Sequence, residues 1–345
     1  MWSGVSTPRR ARPALVALVA AISLLLVTAC GGDEPAAAPP PAEPTEEAPP
    51  PPPPVDPLTG VAPEPTSPLV AVKVDNSPLA RPFHRGLEFA STVYVELVEG
   101  GATRFLALYS QPVDTEIGPV RSLRESDIEL LTQHGRIGVA FTGANPGVLG
   151  TFRQTVQDGT FVEVSYENRP ELYRLAERRR DARNFFAVPA RLAEAAGDAS
   201  PARDVGLRFD PAVLEGAPPA GGASVVFSDR ETVAVGYDPA AGTYSLSWAG
   251  APIAGAAPAN VVVQQVRISE SGYRDVTGAV TPFTHTIGEG AVHVLRDGVL
   301  VSGSWSRPDH GAGTALVDGA GRPIALKPGP TWVLLQPQGL PFNPS

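Results

Sequence analysis

The chain has 345 residues and a formal net charge of −9, with 27 Lys and Arg against 36 Asp and Glu. Its length allows one large domain or two domains, and the acidic balance disfavours nucleic acid as a partner. Cys30 is the only cysteine, which excludes an intramolecular disulfide, a catalytic thiol in the folded part and a cysteine zinc site.

The N-terminus predicts a secretory signal that ends in a lipidation site. Basic residues precede an apolar stretch, Ala14–Val27, which is too short to span a membrane comfortably. The tetrapeptide Val27-Thr28-Ala29-Cys30 resembles a lipobox. We therefore expect residues 1–29 to be a signal peptide and Cys30 to carry acyl chains such as palmitate. These chains would anchor the protein at the extracytoplasmic face of the bacterial cell membrane.

Residues 30–67 are rich in proline and acidic residues and predict a linker without a core. It is expected to be a polyproline II spacer that lifts the folded part off the membrane, or a disordered tether of no set length. Removal of residues 1–29 takes away three arginines and no acid, so the mature net charge is about −12. That charge disfavours adhesion to anionic lipid, so the acyl chains must provide the anchor.

Residues 68–205 predict an N-terminal part that contains both strands and helices. The apolar run Leu69–Val74 predicts a buried strand. Two β-prone runs on either side of Gly100-Gly101 predict a hairpin over residues 93–109.

Helices are predicted at three places in this part. Ser122 and Glu125 have the spacing of a capping box, so a helix is expected from about Leu123 to Gln133, ending near Gly135. A strand over residues 136–141, a Gly-rich loop and a helix to about residue 156 follow, an order that can place backbone amides around an anion. Pro170 predicts a further helix over residues 170–177.

Residues 206–345 predict a β-rich C-terminal part, in which Asp297-Gly298 is typical of a tight hairpin turn. The expected fold class is α+β. It has a mixed sheet with helices in the N-terminal part, and mostly antiparallel strands in the C-terminal part packed on or beside that sheet. The expected C-terminal strands are Ser224–Ser228, Thr232–Tyr237, Thr243–Trp248, Asn260–Val266, Gly290–Leu295, Val299–Trp305 and Trp332–Leu335.

Charged residues concentrate where the hairpin turn and the first helix are expected. Arg121 and Arg124 flank the first helical turn, where a cation is poorly placed unless an anion is near. Glu96, Glu99 and Arg104 lie on or beside the hairpin turn. Two interpretations stay open: a polar site that takes a ligand anion, or a structural network in which Glu96 or Glu99 pairs with an arginine.

Two motifs, EGG-x-TR at Glu99–Arg104 and GPVRS-x-R at Gly118–Arg124, resemble the DUF3048 family of YerB-like bacterial lipoproteins. The resemblance covers most of Leu69–Pro337, implies a layered β–β–α arrangement, and implies no established biochemical activity. Together with the charge pattern, it makes candidate ligand-binding residues of Asn76, Arg81, Glu96, Glu99, Thr103, Arg104, Arg121, Ser122, Arg124 and Asn184.

The sequence departs from the family pattern at three places. Phe83-His84-Arg85 stands where the family has a shorter polar pair, and Ser91 stands where Asp is common. Both departures weigh against a metal or acid role for this loop. Arg183 replaces a family histidine, which argues against a histidine base or ligand there, while Asn184 is retained.

Most catalytic chemistries lack their motifs. No histidines have metal-ligand spacing and no G-x-S-x-G is present, so neither a metal nor a cofactor is expected. Glu96 and Glu99 are three residues apart and would point to opposite faces of one strand, which does not suit a pair of glycosidase carboxylates. Trp248, Trp305 and Trp332 could stack on a sugar, although strand aromatics more often belong to the core.

Two hypotheses for function follow. The first is a non-catalytic module that binds a cell-envelope component or a cell-wall enzyme. Its arginines at 81, 104, 121 and 124 would receive an acidic group such as a peptide-stem carboxylate. The second is an envelope hydrolase or transferase acting on peptidoglycan or glycan, with Glu96 or Glu99 as general base. An arginine-lined cleft with an unpaired Glu of raised pKa would favour the second hypothesis.

Overall fold

The computed structural model of the protein describes residues 53–176, 184–275 and 278–345. The predicted signal peptide, Cys30 and most of the predicted linker lie outside these residues, as does Arg183. Pro52–Ser345 groups into a single unit by its internal contacts.

The α-helices of the described residues are Glu125–Leu131 (α1), Pro146–Gln157 (α2) and Pro189–Ala196 (α3). The strands of the N-terminal half are Val70–Asp75 (β1), Thr92–Leu97 (β2), Thr103–Tyr109 (β3), Ile117–Val120 (β4), Ile137–Ala140 (β5), Phe161–Glu163 (β6), Tyr173–Leu175 (β7) and Phe185–Ala187 (β8). Those of the C-terminal half are Gly222–Val226 (β9), Thr232–Asp238 (β10), Thr243–Trp248 (β11), Ala251–Pro252 (β12), Asn260–Val266 (β13), Ile268–Arg274 (β14), Val280–Thr284 (β15), Gly288–Arg296 (β16), Val299–Arg307 (β17), Ala315–Asp318 (β18), Thr331–Pro337 (β19) and Phe342–Pro344 (β20).

One large mixed sheet contains strands from both halves of the chain. Its order is β18-β17-β16-β13-β19-β2-β3-β1-β4-β8-β7, and β5 and β6 branch from β1. The halves meet where β19 pairs in parallel with β2, with Trp332 opposite Val93 and Leu334 opposite Val95. A smaller antiparallel sheet has the order β12-β11-β10-β9-β20, and β14 and β15 form a separate hairpin. The predicted α+β class is confirmed, and the C-terminal strands extend the N-terminal sheet as well as packing on it.

The large sheet is the middle of three layers. Successive residues of a strand point to opposite faces, so Val72 and Val74 of β1 join the core shared with the smaller sheet and α3. Ala71 joins the core on the other face, which α1 and α2 cover. This is the β–β–α arrangement that the family resemblance implies.

Most local predictions are confirmed. The hairpin of β2 and β3 turns at Gly100 and Gly101, which both have positive φ. Asp297 and Gly298 have φ values of 52° and 74° between β16 and β17, as a tight hairpin turn requires. All seven predicted C-terminal strands are present, within two residues of the expected bounds.

The predicted helix over residues 170–177 is wrong where the structure describes it. Pro170–Leu172 forms one 3-10 turn, and β7 follows in antiparallel pairing with β8. Local helix propensity is a weak signal that tertiary pairing overrides.

The folded part begins before Pro68, the start expected from the sequence. Leu58 is fully buried, and the buried Asp56 carboxylate accepts hydrogen bonds from the Leu58 amide and the Ser110 hydroxyl. The Gly329 amide donates to the Thr59 carbonyl at 2.8 Å, holding this segment beside β19. Residues 53–67, assigned to the linker by composition, therefore pack against the folded part where the structure describes them.

Candidate functional site

Several of the predicted site residues lie at the ends of β1, β2 and β3 on the face covered by α1. The register places Asp75 of β1 opposite Arg104 of β3, and Arg104 opposite Glu96 of β2. Lys73 lies two residues before Asp75 and therefore on the same face of β1, because strand side chains repeat every two residues. Antiparallel pairing therefore brings charged side chains of three neighbouring strands next to one another.

Lys73 is fully buried between two acidic side chains. Its Nζ donates to Asp127 Oδ1 of α1 at 2.7 Å and contacts Glu96 Oε1 of β2 directly. Glu96 and Asp127 are also buried. We call these three residues the buried lysine site. The structural interpretation of the sequence pairs Glu96 or Glu99 with an arginine, and in the structure Glu96 pairs with Lys73.

Asp75 is shared by two arginines. Its carboxylate lies 3.1 Å from Arg104 Nε and 2.9 Å from Arg121 Nε. A third arginine, Arg124, donates from Nε and Nη2 to Glu99 Oε2 at 3.1 and 2.7 Å. We call Arg104, Arg121 and Arg124, with Asp75 and Glu99, the arginine cluster. The predicted pairing of Glu99 with an arginine is confirmed.

The start of α1 differs from the prediction. Its N-cap residue is Arg124, and the Arg124 amide donates to Asp127 Oδ2 at 2.7 Å. Ser122 and Glu125 therefore do not form the predicted capping box. The Ser122 carbonyl instead accepts from Arg124 Nη1 at 2.9 Å. The helix ends near the expected Gly135, which follows a 3-10 turn.

A second polar set links the loop after β1 to the smaller sheet. Asn76 Nδ2 donates to Thr103 Oγ1 at 2.7 Å, and Arg81 Nε donates to the Asn76 carbonyl at 3.1 Å. Arg81 Nη2 lies 2.9 Å from both carboxylate oxygens of Glu231. Asn76, Thr103 and Arg81 therefore act as a structural bridge between the two halves of the chain.

Replacement of Glu231 with alanine is expected to lower the free energy of unfolding by about 1–3 kcal/mol, because the largely buried Arg81 side chain loses its charged acceptor. Urea denaturation of the wild type and variant measures this difference. The matched control is the exposed neighbour Asp229, whose replacement with alanine should change the free energy by less than about 0.5 kcal/mol. Equal effects of the two substitutions would contradict the assigned bridge.

Burial and neighbouring charges shift the pKa values of this site in different directions. Burial, together with the adjacent Asp127 carboxylate, raises the pKa of Glu96 to about 8 despite the nearby Lys73. Burial also acts to raise the pKa of Glu99, but the Arg124 hydrogen bonds outweigh it and the pKa lies below its ordinary value. Burial lowers the pKa of Arg104, and the neighbouring Arg124 and Arg121 lower it further. The surroundings of Glu96 therefore favour its neutral form, and those of Glu99 favour its ionised form.

The hairpin of β14 and β15 lies over this site. Thr281 Oγ1 donates to Glu99 Oε1 at 2.7 Å, and Ser271 Oγ donates to Glu125 Oε2 at 2.5 Å. The Thr284 amide donates to Ser126 Oγ at 2.9 Å. The C-terminal half thus contributes a cover to a site otherwise built by the N-terminal half.

Other predicted features do not form part of the arginine cluster. Asn184 is buried at the start of β8 and, among the described residues, its side chain bonds to none of the three arginines. The Gly143 amide of the Gly-rich loop donates to Glu167 Oε1 at 2.7 Å, so a carboxylate of the protein itself occupies the anion position there. Trp248, Trp305 and Trp332 are buried in the core, so none is available to stack on a sugar.

Metal and membrane-spanning features are absent from the described residues. No group of three or more His, Cys, Asp and Glu side chains there is arranged to hold a metal ion. Within the same residues, no helix combines the length and apolar character needed to cross a membrane. A cavity of about 690 Å³ lies between the loop over residues 210–218 and the β17–β18 strands, and the arginine cluster does not line it.

Comparison with known proteins places the chain in a family. Residues 58–202 match the "Protein of unknown function (DUF3048) N-terminal domain" and residues 223–333 match the "Protein of unknown function (DUF3048) C-terminal domain". The chain therefore belongs to the DUF3048 family. It is 48% identical over 61 residues to the Bacillus subtilis (strain 168) protein named "Putative lipoprotein YerB", a match that spans 18% of each chain.

The crystal structure of the YerB protein from Bacillus subtilis has a similar fold. The TM-score is 0.69 at 23% identity, and the match covers 84% of this chain and 99% of that one. This likeness supports a YerB-like fold across both halves of the chain.

Several residues of the site were missed by the sequence prediction. Lys73 interrupts an otherwise apolar strand, a signal that could have indicated a buried ion pair. Asp75 follows the predicted strand Leu69–Val74 but is the last residue of β1, and Asp127 lies at the third position of α1. Glu231 and Thr281 come from the C-terminal half, and no local pattern indicated that they reach the N-terminal motifs.

Proposed function

We propose that the protein is an extracytoplasmic lipoprotein that binds an acidic group of a cell-envelope component at the arginine cluster without catalysing a reaction. The family assignment and the similarity to a protein named as a lipoprotein support the membrane-anchored class. The lipobox-like Val27–Cys30 segment supports attachment through Cys30. The orientation to the extracytoplasmic face follows from the predicted secretory signal.

The proposal rests on the excess of positive over negative groups in the arginine cluster. Three guanidinium groups face two carboxylates, so one positive charge is unmatched. In the adjacent buried lysine site, Lys73 pairs with Asp127 at 2.7 Å, and the raised pKa of Glu96 favours its neutral form, so this site offers little negative charge to the cluster. A ligand carboxylate or phosphate would complete the charge balance of the cluster.

Arg121 is the member of the cluster that a ligand can reach. Its side chain is 34% exposed, compared with 12% for Arg104 and 16% for Arg124. Its Nε is directed at Asp75, and a guanidinium has two further nitrogen atoms that can donate to an acid. A terminal carboxylate of a peptidoglycan stem peptide has the charge and geometry for this contact.

The expected result of an Arg121→Ala substitution is a loss of binding to purified peptidoglycan by about 10- to 100-fold, because a charge-assisted hydrogen bond is worth about 1.5–3 kcal/mol. Co-sedimentation of a fragment covering residues 53–345 measures the bound fraction. The matched control is Arg136→Ala, since Arg136 is 33% exposed and pairs with Asp198 at the opposite end of β5. Equal binding by the wild type, Arg121→Ala and Arg136→Ala proteins would contradict the proposal.

One observation favours the alternative, a hydrolase or transferase acting on peptidoglycan or glycan. Glu96 has a raised pKa, and its Oε2 has no hydrogen-bond partner among the described residues. Glu96 is buried beneath α1, however, and a general base must come within hydrogen-bond reach of its substrate. Release of muropeptides by the wild type, detected by mass spectrometry and absent for Glu96→Gln, would favour the enzyme over the binding module.

A further inference from the structure

The buried lysine site brings an amine and two carboxyl groups together in the core. Lys73 Nζ lies 2.7 Å from Asp127 Oδ1 and directly against Glu96 Oε1. In the other ion pairs of the described residues, at least one of the two side chains is partly exposed to water, as in the pair of Arg136 and Asp198. Here all three side chains are shielded from water by strands β1 and β2 and helix α1.

Apolar side chains complete the enclosure. Leu106 of β3 lies opposite Lys73 in the sheet register, and Tyr94 of β2 lies opposite Leu106. Both belong to the same core as Ile128 and Leu131 of α1. A lysine and a carboxyl held together without water meet the two conditions for condensation, namely proximity of the reacting atoms and exclusion of the water that would reverse the reaction.

We propose that Lys73 and Asp127 condense into an intramolecular amide bond, with Glu96 as the group that transfers the protons. The new bond joins Lys73 Nζ to Cγ of Asp127. It would be a covalent modification of the folded protein, independent of the binding proposed for the arginine cluster.

The reaction balances without any added reagent. A proton passes from the Lys73 ammonium to the Asp127 carboxylate, which gives a neutral amine and a neutral carboxylic acid. The amine nitrogen attacks Cγ, and the N–C bond forms. Glu96 accepts the proton lost from nitrogen on one oxygen and donates its own proton from the other oxygen to the departing hydroxyl group. The C–O bond breaks, one water molecule leaves, and Glu96 ends protonated as it began.

The surroundings of each group suit its role. Burial and the Asp127 carboxylate raise the pKa of Glu96, so it holds a proton to donate at neutral pH. Its Oε2 has no partner among the described residues and is available for the transfer. The Arg124 amide donates to Asp127 Oδ2 at 2.7 Å, which is the position where negative charge develops during attack on Cγ.

The amide would tie β1 to α1, elements whose linked residues are 54 positions apart in the chain. It would stabilise the fold by a covalent cross-link, as a disulfide does in many exported proteins. A disulfide cannot form within this chain because Cys30 is its only cysteine.

Peptide mass spectrometry tests the proposal on the full-length protein purified from membranes. After denaturation and digestion with trypsin and chymotrypsin, we expect a joined pair of peptides that contain Lys73 and Asp127. Its mass should be lower than the sum of the two peptides by one water molecule. Recovery of both peptides separately and unmodified would overturn the proposal, and a bond to Glu96 instead would overturn the assignment of Asp127.

Lys327 provides a matched control in the same digest. It is the only other lysine of the chain and contacts Asp297 at 2.9 Å, but it is 31% exposed and the ion pair is open to water. Its peptides should be recovered unmodified. Equal cross-linking of Lys327 would show that the bond arises during sample preparation and would overturn the proposal.

Variants test the role of Glu96. Glu96→Gln should leave the Lys73 and Asp127 peptides separate in protein that circular dichroism shows to be folded, and Lys73→Met should give no joined peptide. Complete cross-linking in Glu96→Gln would overturn the proton-transfer role. Since the wild-type digest decides whether the bond exists, a variant that fails to fold does not remove the test.

Discussion

The free energy of unfolding is expected to fall as the pH rises from 6.5 to about 8, by on the order of 1 kcal/mol per pH unit. Glu96 has a pKa of about 8 in the folded protein and an ordinary value of 4.5. In this range the folded state holds a proton that the unfolded state releases, so a higher pH favours unfolding.

Below about pH 6.5, buried histidines change the free energy of unfolding in the opposite direction, so the prediction applies above that pH. Burial lowers the pKa of His84, and burial with nearby arginines lowers that of His134 to about 3. Both histidines bind a proton more readily when unfolded, so their contribution to stability increases with pH up to about 6.5. Urea denaturation at several pH values should therefore show a shallower decline above pH 6.5 for Glu96→Gln than for the wild type. Identical pH profiles would contradict the raised pKa of Glu96.

Replacement of Phe105 with alanine is expected to lower the free energy of unfolding by about 3–5 kcal/mol, because it removes a large buried ring and leaves a cavity. The Phe105 ring on β3 lies edge-on to Trp248 of the smaller sheet and Trp332 of β19, with centroid distances of 5.4 and 5.1 Å. It therefore fills the space where the two sheets and the two halves of the chain meet. Urea denaturation followed by tryptophan fluorescence measures the loss.

Phe89→Ala is the matched control for this substitution. The Phe89 side chain is 47% exposed, so its removal leaves no enclosed cavity and should cost less than about 1 kcal/mol. A loss for Phe105→Ala as small as that for Phe89→Ala would show that the ring is not part of the junction between the sheets.

Local features of the fold were predictable because their causes lie within a few residues. Apolar runs indicated the strands of the C-terminal half, and Gly100-Gly101 and Asp297-Gly298 indicated one hairpin turn in each half of the chain. The pairing of β19 with β2 has no local cause, since it joins strands from opposite ends of the chain. β7 was mistaken for a helix for the same reason, because only its pairing with β8 selects the extended form.

The sequence indicated several residues of the candidate site, but it did not indicate which of them form ion pairs with one another. The motifs supplied Arg104, Arg121, Arg124 and Glu99, and the interpretation that some of these form ion pairs is confirmed. The partners depend on strand register: Asp75 reaches two arginines only because β1 lies between β3 and β4. The burial of Lys73 depends on α1 closing over the sheet, which no sequence spacing encodes.

The position of β19 has a consequence for how the protein is made. β2 pairs on one side with β3, and its other edge is filled by β19, which begins at Thr331 near the end of the chain. Until β19 pairs with it, this edge of β2 carries unpaired backbone donors and acceptors, a template for pairing with another chain. Such long-range pairing also slows folding. A chain truncated before Thr331 would leave this edge of β2 unpaired in the middle of its sheet, so the sheet can be completed only after β19 has been synthesised.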